Sequence, residues 1–320
     1  MRRSVHFTRA RKHLFAGLLL CFVWTSRAHA QALPDLLSTL GIEELARDYL
    51  RPGADAVGYS LNSGLYHSAR IDTGLTLWIG LRGVWSYVPD RDMTFVAKLP
   101  ASLTALGYPG ETRTATVFGG QGAVLRSSQL DPNGNPYPDV RLPGGSGLRS
   151  TFLMLPHVSI GSFAATELML RGIPPITFDP EIGKVSFFGI GIKHSPTQYI
   201  RFPIDVSFMA AIQKLEIGRV MHVTNLNANA HASIPLSIAE LYGGFGYESY
   251  AIDVSYTYTP VTADVPPELR TPQHIALNFK RVNFRFTLGV NVMLIPLLNV
   301  NAEYSAGVQD NMTIGAGLRL

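Results

Sequence analysis

The sequence predicts an all-β fold: a transmembrane antiparallel β-barrel of about 10–14 strands with a short N-terminal helical, plug-like segment. Three observations predict it. Apolar residues alternate with polar or small ones along segments of about ten residues or more, the side-chain period of a strand. No segment after the first thirty residues is apolar for long enough to cross a membrane as a helix, the longest run being Val292 to Leu298. The last alternating segment reaches the final residue, Leu320.

The elements follow in chain order. Arg2, Arg3, Arg9, Arg11 and Lys12 precede an apolar run from Leu14 to Trp24 and the small-x-small step Ala28-His29-Ala30. This is the pattern of a cleavable signal peptide over 1–30, and its apolar run is too short to span a bilayer. The leader changes how charge is read. It holds six of the 27 Lys and Arg and none of the 23 Asp and Glu, leaving 21 against 23. The basic balance of the whole chain therefore gives no case for nucleic acid. Cys21 is the only cysteine and lies in the leader, so the exported chain has neither a disulfide framework nor a thiol. Charged residues are 16% of the chain, low against about 25% in soluble domains.

Residues 31–66 are expected to form a helix and a plug-like segment in the barrel mouth, the alternative being a periplasmic linker with a frayed helix. Pro34 to Leu50 reads as a helix capped by Asp35, ending near Pro52-Gly53. The small-residue stretch from Ala54 to Ala69 then suits a narrow lumen. Leu61, Asn62, Ser63, Leu65 and Tyr66 are the candidate plug residues: Asn62 and Ser63 to bond polar walls, the other three to line an apolar spot.

The barrel is expected over 67–320. Ten segments carry the strand pattern: roughly 70–88, 113–126, 158–171, 184–196, 204–217, 220–234, 241–259, 276–294, 298–308 and 312–320. Thr151 to Leu155 is a further candidate. Met312, Ile314, Ala316, Leu318 and Leu320 alternate with Thr313, Gly315, Gly317 and Arg319. Aromatic residues, among them Trp78, Trp85, Tyr87 and Tyr250, gather toward strand ends, as interfacial girdles do. With the C-terminus in the periplasm, 172–183 and 260–275 become outer loops and Leu294 to Leu297 a periplasmic turn. The stretch 127–157 then becomes a periplasmic connection of about 30 residues, long for that side of such a barrel.

Polar faces point to a lumen. The candidate lumen-lining residues are Arg82, Asn225, Asn227, Asn229, His231, Asp253, Arg285, Asn291, Asn301, Glu303 and Arg319, with Lys193 beside them. Both signs of charge occur, so side chains can pair across a narrow interior. Catalytic patterns are weak. His157 and Ser159 sit two apart, with Glu167 or Glu240 as the only obvious acidic partners, and no G-x-S-x-G elbow occurs. The scattered histidines lack metal-site spacing. No enzymatic activity, cofactor or metal is expected.

Several stretches carry a family resemblance: "YLRPGADAVGYSLNSGLYHSARI", "YVPDRDMTFVAKLP", "ATVFG", "IGSFAATELMLRGIPP", "VSFFGIGIKHS" and "IPLSIAELYGGFGYES". They resemble an uncharacterised family of bacterial outer-membrane barrels over most of the chain. That family is distantly similar to the FadL-type long-chain fatty-acid transporters, which place an N-terminal helical hatch in a barrel. The resemblance implies outer-membrane lipid as the solvent, the barrel-assembly machinery as a partner of the C-terminal strand, and a small hydrophobic solute as cargo. The expected function is a passive channel or transporter. The alternatives are a closed structural or partner-binding barrel acting through its loops, and a membrane-embedded lipid-modifying enzyme.

Overall fold

The computed structural model describes residues 43–179, 183–200, 202–258 and 273–320. The expected signal peptide, the first part of the expected N-terminal helix and most of the 260–275 loop lie outside the described residues. In chain order the elements begin with helix α1 (Glu43–Leu61) and strand β1 (Thr76–Tyr87). A long excursion follows, holding β2 (Thr94–Lys98), a short helix α2 (Ala101–Thr104), β3 (Glu111–Ala115), β4 (Val124–Leu125) and β5 (Val140–Arg141). Then come β6 (Ser150–Phe163), β7 (Thr166–Asp179), β8 (Gly183–His194), β9 (Asp205–Ile217) and β10 (Met221–Pro235). The last four are β11 (Ala239–Tyr258), β12 (Gln273–Ile295), β13 (Leu298–Ala306) and β14 (Asn311–Arg319).

β1 and β6 to β14 form one closed, antiparallel up-and-down barrel of ten strands. β1 seals it, pairing with β6 on one side and β14 on the other. At the closure Leu77 and Leu320 exchange backbone hydrogen bonds of 2.9 and 2.8 Å. The alternation decides which side faces out. On β14, Asn311, Thr313, Gly315 and Gly317 are buried, while Ile314, Ala316 and Leu318 are exposed. Phe286 and Leu288 of β12 are 64% and 71% exposed, within a belt of apolar side chains around the wall. So much contiguous apolar surface is untenable in water. Closure leaves no edge to satisfy, which is what a lipid-immersed sheet requires. β13 and β14, at nine residues each, match a tilted bilayer crossing of about 9–11 residues. The chain is a β-barrel of the outer-membrane type.

The two rims differ. Short turns at 164–165, 236–238 and 296–297 lie at the rim of the C-terminus, while the excursion 88–149 lies at the other. We call these the turn rim and the loop rim.

Four expectations for the chain path are corrected, the first being that 158–171 is one strand: it turns at 164–165 and supplies the end of β6 and the start of β7. Residues 113–126 are not a barrel strand: they supply β3 and β4 of the excursion, which pair with β2 and β5. The second barrel strand is β6, so the long connection is 88–149 at the loop rim rather than 127–157 at the turn rim. The expected loop 172–183 is mostly strand, β7 running through Pro174-Pro175 to Asp179. The helix also differs. α1 continues through Pro52-Gly53 to Leu61, because the barrel wall around it supplies packing that outweighs a proline's missing donor and ring clash.

Candidate functional site: a threaded lumen

α1 enters at the loop rim. Its first turns pack into the excursion, with Leu45 buried among Ala97, Leu99, Tyr108, Leu125 and Leu142. The Tyr49 hydroxyl donates to the Gly144 carbonyl at 2.8 Å, and burial pushes that phenol up to about 12, so it stays a donor at ordinary pH. Deeper in, the helix packs against β1, β10, β11 and β12. Gly58 lies flat on the Tyr250 ring, where a Cβ would collide with it. The Tyr250 hydroxyl bonds the Asp55 carboxylate.

The helix ends at mid-lumen, where its last carbonyls have no intrahelical partners and carry the negative end of the helix dipole. The wall meets them with donors. Asn225 donates to the Gly58 carbonyl at 2.5 Å and Arg285 to that of Tyr59 at 3.0 Å. Gln213 reaches the Leu61 carbonyl at 2.8 Å. Arg171 donates to the carbonyls of Leu61 at 3.2 Å and Ser63 at 2.9 Å, and also bonds that of Gly64. Gly64 turns with a φ of 64°, and its N–H donates to Glu303 at 2.8 Å.

The chain continues to the turn rim, held all the way. Arg82 bonds His67 Nδ1 at 2.9 Å, stacks over Trp78 with its guanidinium carbon 4.7 Å from the ring centroid, and also bonds Asn301. Lys193 donates to the Ser68 carbonyl at 3.2 Å and pairs with Glu167 at 3.0 Å. His231 stacks on Tyr66, with ring centroids 3.9 Å apart. Ser207 donates to the Ala69 carbonyl at 2.5 Å, and Asp72 pairs with Arg319. Residues 43–75 thus run through the lumen from one rim to the other. Below them, at the turn rim, a cavity of about 560 Å³ opens between Arg70, Asp72, Thr76, Ser195, Gln198 and Arg319. It is a vestibule that stops at the threaded segment.

All five candidate plug residues are buried. Of the lumen candidates, Arg82, Asn225, Asn227, His231, Arg285, Asn291, Asn301 and Glu303 are buried, and Arg319 is half-buried at the vestibule. Asn229 lies beside Asn227 and His231, bonded to both at 2.6 and 2.8 Å. Asp253 is the exception. It is exposed and bonds Asn278 outside, while its neighbours Tyr250 and Ile252 turn inward. There the inner face is the apolar one, because it meets α1. For the same reason Tyr250 is not a girdle residue, and neither is Trp78, which packs inside under Arg82.

Sequence reading missed Arg171, Gln213, His67 and Glu248. Arg171 ends the run Leu168-Met169-Leu170, where both faces read as apolar; its one signal is a basic residue closing a run that Glu167 opens. The weighed His157–Ser159 pair does form, with Nε2 3.0 Å from the hydroxyl oxygen. However, Arg171 Nε donates to His157 Nδ1 at 3.1 Å. An accepting Nδ1 puts the proton on Nε2, which then donates to Ser159. A nucleophile-activating histidine needs the opposite tautomer, with a carboxylate at Nδ1.

Residues 10–320 match a family of unknown function, DUF6588, and the chain belongs to it. No curated protein matches. Among solved structures the chain has faint similarity to Ail, the attachment invasion locus protein of Yersinia pestis (9% identity, TM-score 0.29, 77% of this chain and 97% of that one). It is comparably similar to the in-vitro folded OmpT, an outer membrane protein of Vibrio cholerae (11% identity, TM-score 0.28, 78% and 100%). A Pseudomonas aeruginosa FadL homologue is more distant by TM-score (9% identity, TM-score 0.24, 80% and 94%).

Proposed function

We propose that this DUF6588 member is a plugged outer-membrane barrel that passes small, hydrophobic solutes passively, with residues 43–75 as the plug. The observation that carries the reading is the vestibule. A solvent-reaching half-channel ends against a segment whose turn after α1 is held by wall side chains on its backbone carbonyls, while α1 itself packs into an apolar cluster. The carbonyl contacts are exchangeable for water or for a ligand's polar atoms, unlike a continuous apolar core. The test is liposome permeability of the refolded chain from residue 31, with and without 31–66. A leak of small polar dye on deletion supports the plug; equal tightness of both forms overturns it.

A second reading is favoured by the excursion. Residues 88–149 carry their own hydrophobic cluster around Leu99, Tyr108, Leu125 and Leu142. A packed platform of this kind suits partner binding at the loop rim by a barrel that stays closed. Deleting the platform while measuring surface adhesion and permeability separates the two.

A further inference from the structure

One polar stripe crosses five adjacent strands beside the vestibule. β1, β14, β13, β12 and β11 are neighbours in the ring, and they contribute Trp78, Arg319, Asn299, Asn291 and Glu240 in that order. Backbone register ties the stripe together. Trp78 lies opposite Arg319, and Asn291 opposite Glu240. Asn299 lies opposite Gly317, and the Trp78 ring rests on that glycine, where a Cβ would collide with it. The five side chains line a chamber of about 50 Å³, deeper in than the vestibule. The two spaces share Arg70, Asp72, Thr76 and Arg319, so the chamber is reached from the turn rim. It has room for a few water-sized groups.

Much of this stripe lacks a partner. Trp78, Asn299 and Asn291 are 4%, 3% and 8% exposed. Yet among the described residues the Trp78 indole N–H has no acceptor, and the amide oxygens of Asn299 and Asn291 have no donor. Buried polar groups are normally bonded, so three with spare capacity around one chamber point to a ligand. Charge is divided along the stripe. Glu240 is half-buried and accepts from Ser68 at 2.6 Å and from Asn291 at 3.5 Å; among the described residues it has no ion-pair partner. At the other end Asp72 is shared by Arg319 and Arg70, two guanidiniums on one carboxylate. Asp205 also borders the vestibule, but from β9, on the opposite side of the ring from β14. Lys193 and Glu167, on the facing wall of the chamber, pair at 3.0 Å and cancel. The Glu240 end thus keeps a negative excess beside two amide oxygens, and the Arg319 end a positive excess beside an N–H. Such ends are suited to opposite charges on one ligand.

We infer that the chamber and vestibule form a binding site for a small zwitterion with a primary ammonium and a carboxylate, of amino-acid to dipeptide size. The ammonium sits among Glu240, Asn291 and Asn299. The carboxylate meets the Trp78 N–H and the guanidiniums of Arg319 and Arg70. This ligand enters from the turn rim and differs in polarity from the solute proposed above. Its site is complete with the plug in place, so it does not rest on the channel reading.

The chain from residue 31 holds two tryptophans, Trp78 and Trp85, so Trp85→Phe leaves Trp78 as a reporter inside the site. The refolded W85F protein is titrated in detergent micelles with alanyl-alanine, its N-acetyl form, its C-terminal amide and ethylammonium. Alanyl-alanine is expected to change Trp78 emission saturably, and acetylation or amidation should each weaken binding about tenfold or more. Glu240→Gln should weaken the free dipeptide about tenfold and leave the acetylated form unchanged. Arg70→Gln, at an exposed residue, should weaken the free dipeptide and leave the amide unchanged. A misfolded variant would instead lose all four probes alike, and the probe series on W85F decides the matter without either variant. Equal affinity for the free, acetylated and amidated dipeptides overturns the inference, as does no saturable change up to about 10 mM. Ethylammonium binding as tightly as the dipeptide also overturns it, reducing the site to a cation pocket. Dye leakage on plug deletion reads the channel separately, so either reading can fail alone.

Discussion

Arg171 on the barrel wall donates to the carbonyl oxygen of Ser63, 108 residues earlier in the chain, at 2.9 Å. The same guanidinium also serves Leu61 and Gly64, so one side chain satisfies the end of the plug helix and the turn after it. Truncation should therefore orphan several buried carbonyls together. Arg171→Met is expected to cost about 3–5 kcal/mol, the scale of breaking a buried charged network, and to raise dye leakage. Urea unfolding and vesicle efflux check it. Loss of stability with no leak would mean that Arg171 is structural only.

Gly58 and Tyr250 form a tighter test of the helix seat. A Cβ at residue 58 runs into the Tyr250 ring, so Gly58→Ala should destabilise by about 1–3 kcal/mol through overpacking, despite alanine's better helix propensity. Combining it with Tyr250→Leu should recover part of that cost. A double-mutant cycle of denaturation free energies reads the coupling, and additivity within about 0.5 kcal/mol would refute the contact.

Arg285 and Glu248 are a buried ion pair at 3.0 Å, with side chains 5% and 0% exposed. Removing one partner leaves an unpaired charge. Glu248→Gln is expected to destabilise more than the double change Glu248→Gln with Arg285→Gln. Thermal midpoints of the three proteins decide this, and a milder single mutant would show that the pair contributes little.

Threading predicts the sidedness of labelling. With Cys21 as the only native cysteine, the remaining chain is a clean background. Glu43→Cys is exposed at the loop rim, while Arg70→Cys lines the vestibule at the opposite rim. In intact cells a membrane-impermeant maleimide should label the first and spare the second until the membrane is broken. Equal labelling of both would contradict the path through the lumen.

Much of the barrel was legible because lipid imposes a strict period. β14 reads inward and outward residue by residue, and eight of the ten barrel strands each match an alternating stretch of their own, while 158–171 is shared by the end of β6 and the start of β7. β6 was obscured by its own chemistry: Leu153 and Leu155 make its inner face apolar beside outward Phe152 and Met154, and Pro156 breaks the run, while the excursion residues 113–126 imitate a strand. Alternation also defines two faces without saying which one is inside. Near Asp253 the rule of polar-inward fails, since α1 offers an apolar surface to Tyr250 and Ile252. The wall-to-plug bonds were illegible for a different reason. They end on backbone carbonyls, which look the same at every residue.

The path of residues 43–75 also constrains the order of events during biogenesis. β1 is flanked by β14, so the ring cannot seal until the last-made strand arrives. The first-made segment joins opposite rims and is gripped from several strands. A ring sealed empty would have to swallow its own N-terminal end afterwards. The cheaper route is for the strands to assemble around a segment already in place, with the pairing of Leu77 to Leu320 as the final stitch.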